Sequence, residues 1–348
     1  LKIAMKINQK KATAEPTSPI KVPQVSFVQQ ILKEITEFKG WEIMFQILFY
    51  SFVLWALYNL KIIYDFHTGA EWAQIPKYPV GDFKLAIMMA AVFLGYKAAV
   101  RFLLYDFLKS KLDPVKFPTE EDRATRAKVA CNWSANVIYY SISTSAVFVL
   151  FRNEDFFPKV LGGNGEISDL FEGVPARKDI PYAVTFYMIQ FGYHLYTLID
   201  YCVYKWNTPK FWEMFLHHSM AVFLMFFSYL TGNVRVGIMV LVVHDPADIF
   251  LCFGRIFADW KIKLTKLRNA NYFFFVLSWL FLRLYVFPKY IVGGGFDAFL
   301  THDCGSLTSP MLFLVLMLAA LVILHAYWFI FILQVFIAML NGKDRYNV

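Results

Sequence analysis

The chain has 348 residues, of which 58% are hydrophobic and 17% charged, with 37 Phe and a formal net charge of +8. That excess of apolar over charged residues excludes an ordinary soluble domain and marks an integral membrane protein. Four scattered cysteines, Cys131, Cys202, Cys252 and Cys304, include no CxxC pair, so neither a zinc ribbon nor a disulfide scaffold is expected and they are read as packing residues.

The first 40 residues are polar and basic, without a short apolar core and small-residue cleavage site, so no cleavable signal peptide is expected. The chain opens on Leu1 rather than Met, which points to residues upstream of it. Apolar runs able to cross about 30 Å of hydrocarbon then occupy 43–63, 83–105, 132–152, 181–203, 211–231, 234–256, 271–291 and 311–340. The expected fold class is an all-α polytopic membrane protein with about eight transmembrane helices, and six at the least. The third run is the weakest, holding Asn132, Asn136 and several serines. Only Thr231-Gly232-Asn233 separates the fifth from the sixth, which predicts a tight helical hairpin.

Basic residues alternate between loops as the positive-inside rule requires. Seven Lys lie in the N-terminal segment, Lys109, Lys111, Lys116, Arg123, Arg126 and Lys128 in the 106–131 loop, and Arg255, Lys261, Lys263, Lys266 and Arg268 near 255–268. These faces, and both termini, are expected in the cytosol, with Lys343 and Arg345 following the last span. Loops 64–82, 153–180 and 292–310 are expected to be lumenal.

This topology brings two polar clusters to one depth. His217 and His218 lie six or seven residues inside the fifth run, roughly 10 Å from its cytosolic end. The sixth run carries "VVHDPADIF" (Val242–Phe250), and counting back from Arg255 puts Asp248 and His244 roughly 10 to 16 Å deep. His244, Asp245 and Asp248 stand at i, i+1 and i+4 and can be brought to one side of the helix, where Pro246 loosens the turn. Further polar groups recur on neighbouring spans: Gln190 and His194 on the fourth, Arg283 on the seventh, His325 with Trp328 on the eighth. Ionisable residues at membrane depth mark functional sites by default. A hydrogen-bonded clasp between helices is the plainer reading, but one His and one Asp would suffice for it. A histidine metal cluster fits poorly, since none of the seven histidines forms HxxH and His67 and His302 are expected in the lumen. Acid-base or nucleophilic catalysis by imidazole, oriented by a carboxylate, suits the set better. No GxSxG elbow supplies a serine, so histidine itself would be base or nucleophile.

The stretch "KFWEMFLHHSMAVFLMFFSYLTGNVRVGIMVLVVHDPADIF" (Lys210–Phe250) resembles the Lag1 motif of ceramide synthases within the TRAM-LAG1-CLN8 (TLC) domain. "RLYVFP" (Arg283–Pro288) and "LHAYWFIFILQV" are similar to later segments of the same family, and the likeness covers roughly residues 120–340. It implies a six-helix barrel formed by the last six spans, with a long central cavity opening to the cytosol. The implied organisation is a basic cytosolic segment (1–42), two N-terminal transmembrane helices (43–110), a TLC catalytic domain (120–341) and a short tail (342–348). The 106–131 loop is too short for the homeobox-like insert that animal members often carry. The implied activity is transfer of a fatty acyl group from acyl-CoA to the amine of a sphingoid base in the endoplasmic-reticulum membrane. Acyl-CoA is then a co-substrate, with no metal and no redox cofactor. Implied partners are the two substrates, membrane lipid, a second copy or a paralogue in a dimer, and a small accessory subunit; nucleic acid is not among them.

Carried onto this chain, the catalytic set is His217, His218, Asp245 and Asp248. His244, Arg283, Gln190, His194, Trp212 and Arg235 form the surrounding substrate-binding network. His217 is the favoured nucleophile, oriented by Asp248, with the acyl tail running toward the lumenal end. Trp212 and Glu213 anchor the helix entrance. Cytosolic Arg123, Arg126, Lys128, Lys205 and Lys210 either attract CoA phosphates or merely signal topology. The rival readings are a non-catalytic TLC lipid sensor or transport protein, and a transporter using the cluster as a proton relay, for which internal repeats would be expected and none is clear. "NWS" at Asn132 matches a glycosylation sequon but sits at a cytosolic edge. "GGNG" (162–165) and "GGG" (293–295) read as lumenal turns.

Overall fold

The fold is taken from a computed structural model, in which the described residues are 40–341 apart from 71–72, 76, 174–180, 207, 209 and 263. Most of the expected basic N-terminal segment, and the tail with Lys343 and Arg345, lie outside them.

The eight apolar runs become eight long helices among the described residues. They are α1 (Gly40–Thr68), α2 (Phe83–Lys111), α3 (Glu120–Phe151), α5 (Pro181–Lys205), α6 (Phe211–Leu230), α7 (Val234–Phe257), α8 (Thr265–Thr301) and α9 (Thr308–Leu340), with a five-residue helix α4 (Ile167–Phe171) between α3 and α5. Six of them, α1, α2, α3, α7, α8 and α9, are long and apolar enough to cross a membrane. The chain is therefore an all-α multi-pass membrane protein. The run that looked weakest, α3, is among the six. Helix α5 carries Gln190, His194 and Asp200, and α6 carries Glu213, His217 and His218 in an otherwise strongly apolar run.

Local chemistry fixes several helix ends. Thr119 caps α3 by accepting a hydrogen bond from the Asp122 amide at 3.0 Å, and Glu120, Glu121 and Asp122 complement the dipole of the first turn. The α6–α7 hairpin is as tight as its sequence predicts: Gly232 takes a left-handed φ of 76°, and the Asn233 amide donates to the Thr231 hydroxyl at 2.9 Å. Helix α8 is α-helical to Ser278, wound as a π-helix from Trp279 to Val292, and α-helical again from Gly293. The glycine triplet 293–295 thus starts a helical segment rather than a turn, whereas 162–165 is a loop with Gly162 at φ 87°.

Helices α3, α5, α6, α9, α8 and α7 surround one cavity in that order, with α2 packed outside against α3 and α5 and α1 outside against α6 and α9. Helix α2 lies over the seam between α3 and α5, which already touch through Tyr139, Tyr193, Gln190 and Asn136, and it contributes no residue to the cavity lining, so the cavity is enclosed by the six-helix barrel expected of the last six runs. The contact of α2 with α5 is close because Gly192 has no side chain: a Cβ there would meet the Ala86 carbonyl oxygen and the Met89 Cβ, each at 2.6 Å. At the basic end, the 112–119 and 258–264 loops are tied by an antiparallel bridge between Leu112 and Trp260, and buried Asp259 takes both Lys116, at 2.5 Å, and Arg126. At the far end, Arg235 holds Asp155 at 2.9 Å and lies over the Phe156 ring.

Candidate active site

The ring encloses a cavity with a polar head and an apolar body. Its head is lined by Tyr140, Tyr193, His194, Thr197, His217, His218, His244, Asp245 and Asp248. Its body continues past Leu224, Val240, Leu318 and Leu321 to Phe171, Gly295, Met311 and Val315 at the far end. The head therefore joins α3, α5, α6 and α7 at one level, roughly 10 Å from the basic end of α6.

His217 and His218 stand with ring centroids 5.4 Å apart. His217 meets the edge of Trp328 from α9 at 5.1 Å, and its Nδ1 is buried with no hydrogen-bond partner. His218 lies 5.3 Å from the Tyr201 ring. Across the cavity, His244 Nδ1 lies 2.5 Å from the Val240 carbonyl, which can only accept, so that nitrogen carries the proton. Its Nε2 is then free to accept from His325 Nε2, 3.1 Å away, which leaves His325 Nδ1 as an unpaired acceptor.

The two carboxylates are held, but not by histidine. Asp248 takes the Arg283 guanidinium at 2.8 Å, and the same Arg283 nitrogen donates to the His244 carbonyl at 2.8 Å while its Cζ lies 4.2 Å from the Trp279 ring. Asp245 accepts from the Ser143 hydroxyl at 2.6 Å. The expected orientation of His217 by Asp248 is thus not formed among the described residues. A permanently charged guanidinium buried beside Asp248 needs that anion more than a neutral imidazole does.

The remaining expected residues divide by position. His194 lines the head with its Nε2 buried and unpaired, while Gln190 sits just behind and receives the Tyr139 hydroxyl. Trp212 packs with Phe49, Tyr50, Phe211 and Phe215 at the mouth of α6, outside the cavity lining. Arg235 is thirteen residues from Asp248 along α7, roughly 20 Å, and serves the far end instead of the head. His67 and His302 also lie at the far end, where His67 Nε2 donates to the Leu230 carbonyl at 3.0 Å. Sequence reasoning missed Ser143, Tyr140, Tyr193 and Thr197. It also missed the Lys97–Asp200 ion pair (2.7 Å) between α2 and α5. The serines that made the third run look weak were the available signal for Ser143. Among the described residues no three His, Cys, Asp or Glu are grouped to hold a metal ion.

A ring of helices around a cavity with a buried, many-histidine head and an apolar body defines a multi-pass membrane protein with an internal candidate site. Residues 130–334 match the family described as TRAM_LAG1_CLN8: TLC domain, and the chain belongs to that family. Among curated relatives, Ceramide synthase LOH2 of Arabidopsis thaliana is 25% identical over 287 residues, 80% of this chain and 93% of that protein. ASC1-like protein 3 of Oryza sativa subsp. japonica is 30% identical over 180 residues, half of this chain and 62% of its own length. Ceramide synthase 3 of Homo sapiens is 28% identical over 176 residues, 49% of this chain and 43% of that protein.

Proposed function

We propose that the chain is a ceramide synthase of the endoplasmic-reticulum membrane, transferring a fatty acyl group from acyl-CoA to the amine of a sphingoid base. The observation that carries this reading is the pairing of His217 and His218, with unpaired imidazole nitrogens at His194 and His217, at the head of an apolar cavity. Relatives named as ceramide synthases support it.

In this reading the thioester carbonyl sits beside His217, with CoA at the basic end and the acyl tail running down the cavity. A ring nitrogen of His217 attacks the carbonyl carbon, the C–S bond breaks, and the CoA thiolate leaves. The sphingoid amine then attacks the acyl-imidazole, its nitrogen gives up a proton, and the C–N bond to His217 breaks to release the amide. His218 is the base for the amine proton, and direct attack with histidine acting only as base is the alternative route. Arg283 fixes Asp248 at the chamber wall, where the carboxylate offsets positive charge developing on the imidazoles. His244 and His325 form a neutral hydrogen-bonded pair that fixes the opposite wall. Neither a metal nor a redox group enters these steps.

The test is an acyl-transfer assay on purified protein with a panel of long and very long acyl-CoAs and a sphingoid base, run beside His217→Ala and Asp248→Ala. Ceramide from wild type and none from either variant is expected. Absence of product across the panel, in protein shown to be folded, overturns the reading and moves the cluster to a structural or transport role.

A further inference from the structure

We infer that Phe171 is the floor of the acyl cavity and sets the length of chain the protein accepts, an inference that rests on the acyltransferase reading above. The lining runs along α7 from His244 to Asn233 and along α9 from Leu321 to Met311, each a helical path of about 15 Å. Apolar side chains line most of that path, and the phenyl ring of Phe171 stands at its far end.

The ring comes from outside the long helices. Helix α4 is five residues long, in the loop after α3, and both Leu170 and Phe171 are buried. Glu166 and Asp169 cap its first turn reciprocally. The loop is fastened upstream by Arg235, which holds Asp155 and covers the Phe156 ring.

The glycine triplet in α8 explains how the ring fits. A Cβ on Gly294 would lie 2.5 Å from Phe171 Cε2 and 3.3 Å from Ile167 Cγ2; one on Gly295 would lie 3.8 Å from Phe171 Cε1 and 3.5 Å from Val315 Cγ2. Glycine is a poor residue for a helix interior, and here the missing Cβ of Gly294 leaves the room that the phenyl ring fills, with Gly295 in ordinary contact beside it. The far end, which Gly295, Met311 and Val315 also line, thus carries one large replaceable ring. An apolar channel closed by such a side chain selects by length, because each methylene it accommodates leaves water and each one too many meets a wall.

The experiment offers the full chain, in detergent micelles, an equimolar mixture of acyl-CoAs of increasing length with one sphingoid base, and reads the ceramide products by mass spectrometry. Phe171→Ala should move the product distribution toward longer chains, by about fourfold for each methylene newly accommodated. Phe171→Trp should move it toward shorter ones. If Phe171→Ala does not yield folded protein by size-exclusion chromatography, Phe171→Leu replaces it, with a smaller shift in the same direction. Ceramide formed with an unchanged distribution in these variants overturns the inference and leaves the acyltransferase reading intact. A wild type that forms no ceramide overturns both. Folded but wholly inactive variants also count against a floor, which should alter chain length without abolishing chemistry some 15 Å away.

Discussion

Arg283 and Asp248 are the buried ion pair on which the chamber depends, and removing one member should cost more than removing both. Arg283 is 4% exposed and Asp248 21%, with 2.8 Å between Nη2 and Oδ2. Breaking a buried pair from one side typically costs about 3 to 5 kcal/mol, because a charge is left without its partner. Two features place Asp248→Ala at the lower end: Asp248 lines the cavity, and Arg283 keeps the His244 carbonyl and the Trp279 face. We expect a loss of about 3 kcal/mol, on the order of 100-fold in the unfolding equilibrium. Apolar replacement of both members is often neutral, so Asp248→Ala combined with Arg283→Met should recover most of that loss. Reversible unfolding in mixed micelles of increasing SDS content, followed by tryptophan fluorescence, gives the values. A single-variant loss below about 1 kcal/mol, or a double variant no more stable than Asp248→Ala, would refute the argument. The double variant should remain inactive in acyl transfer, which separates the stabilising role of the pair from the charge Asp248 supplies to the chamber.

Two other substitutions probe the wall. Gly192→Leu places atoms where the Ala86 carbonyl and Met89 already lie within 2.6 Å of a bare Cβ; it should destabilise by about 2 kcal/mol or more through overpacking, and an unchanged SDS midpoint would show that α2 does not seat closely on α5. Thr119→Ala removes the cap of α3 and should cost about 1 kcal/mol, with Thr119→Asn close to wild type, read in the same unfolding assay.

Element existence was legible in the sequence because eight apolar runs separated by basic and acidic loops admit few alternatives. Depth was legible too: counting 1.5 Å per residue from the basic loops put His217, His218, His244 and Asp248 at one level, and all four line one cavity. Partner choice was not legible. Which acceptor the Arg283 guanidinium takes depends on where the wide π-helical turn of α8 aims it, and nothing in "RLYVFP" announces that winding. The place of α2 was hidden for a related reason. Its apolar residues run nearly all round, so no stripe shows which neighbours it seeks; the cue lies in Gly192 on a different helix. Arg235 read as part of the site because it sits within a motif that the site also uses, yet thirteen residues along α7 carry it to the opposite end of the cavity.

Polar side chains gathered at one depth locate the chemistry. Helix α5 supplies His194 and Thr197, α6 supplies His217 and His218, α3 supplies Tyr140 and Ser143, and α7, itself apolar enough to span a membrane, supplies His244, Asp245 and Asp248 to the chamber or its wall. Helices outside the chamber, such as α2, keep a largely apolar surface; within it Lys97 is paired with Asp200 and Arg101 donates to Asn132. A polar group in hydrocarbon must be satisfied by a neighbour or face an internal cavity. Polarity spread over adjacent helices at one depth is therefore more than a set of isolated clasps: each clasp needs only two partners, and the unpaired nitrogens of His194 and His217, both on residues that line the cavity, exceed what a clasp requires. Those nitrogens are the residue left after structure has been satisfied, and they are where the reaction should be sought.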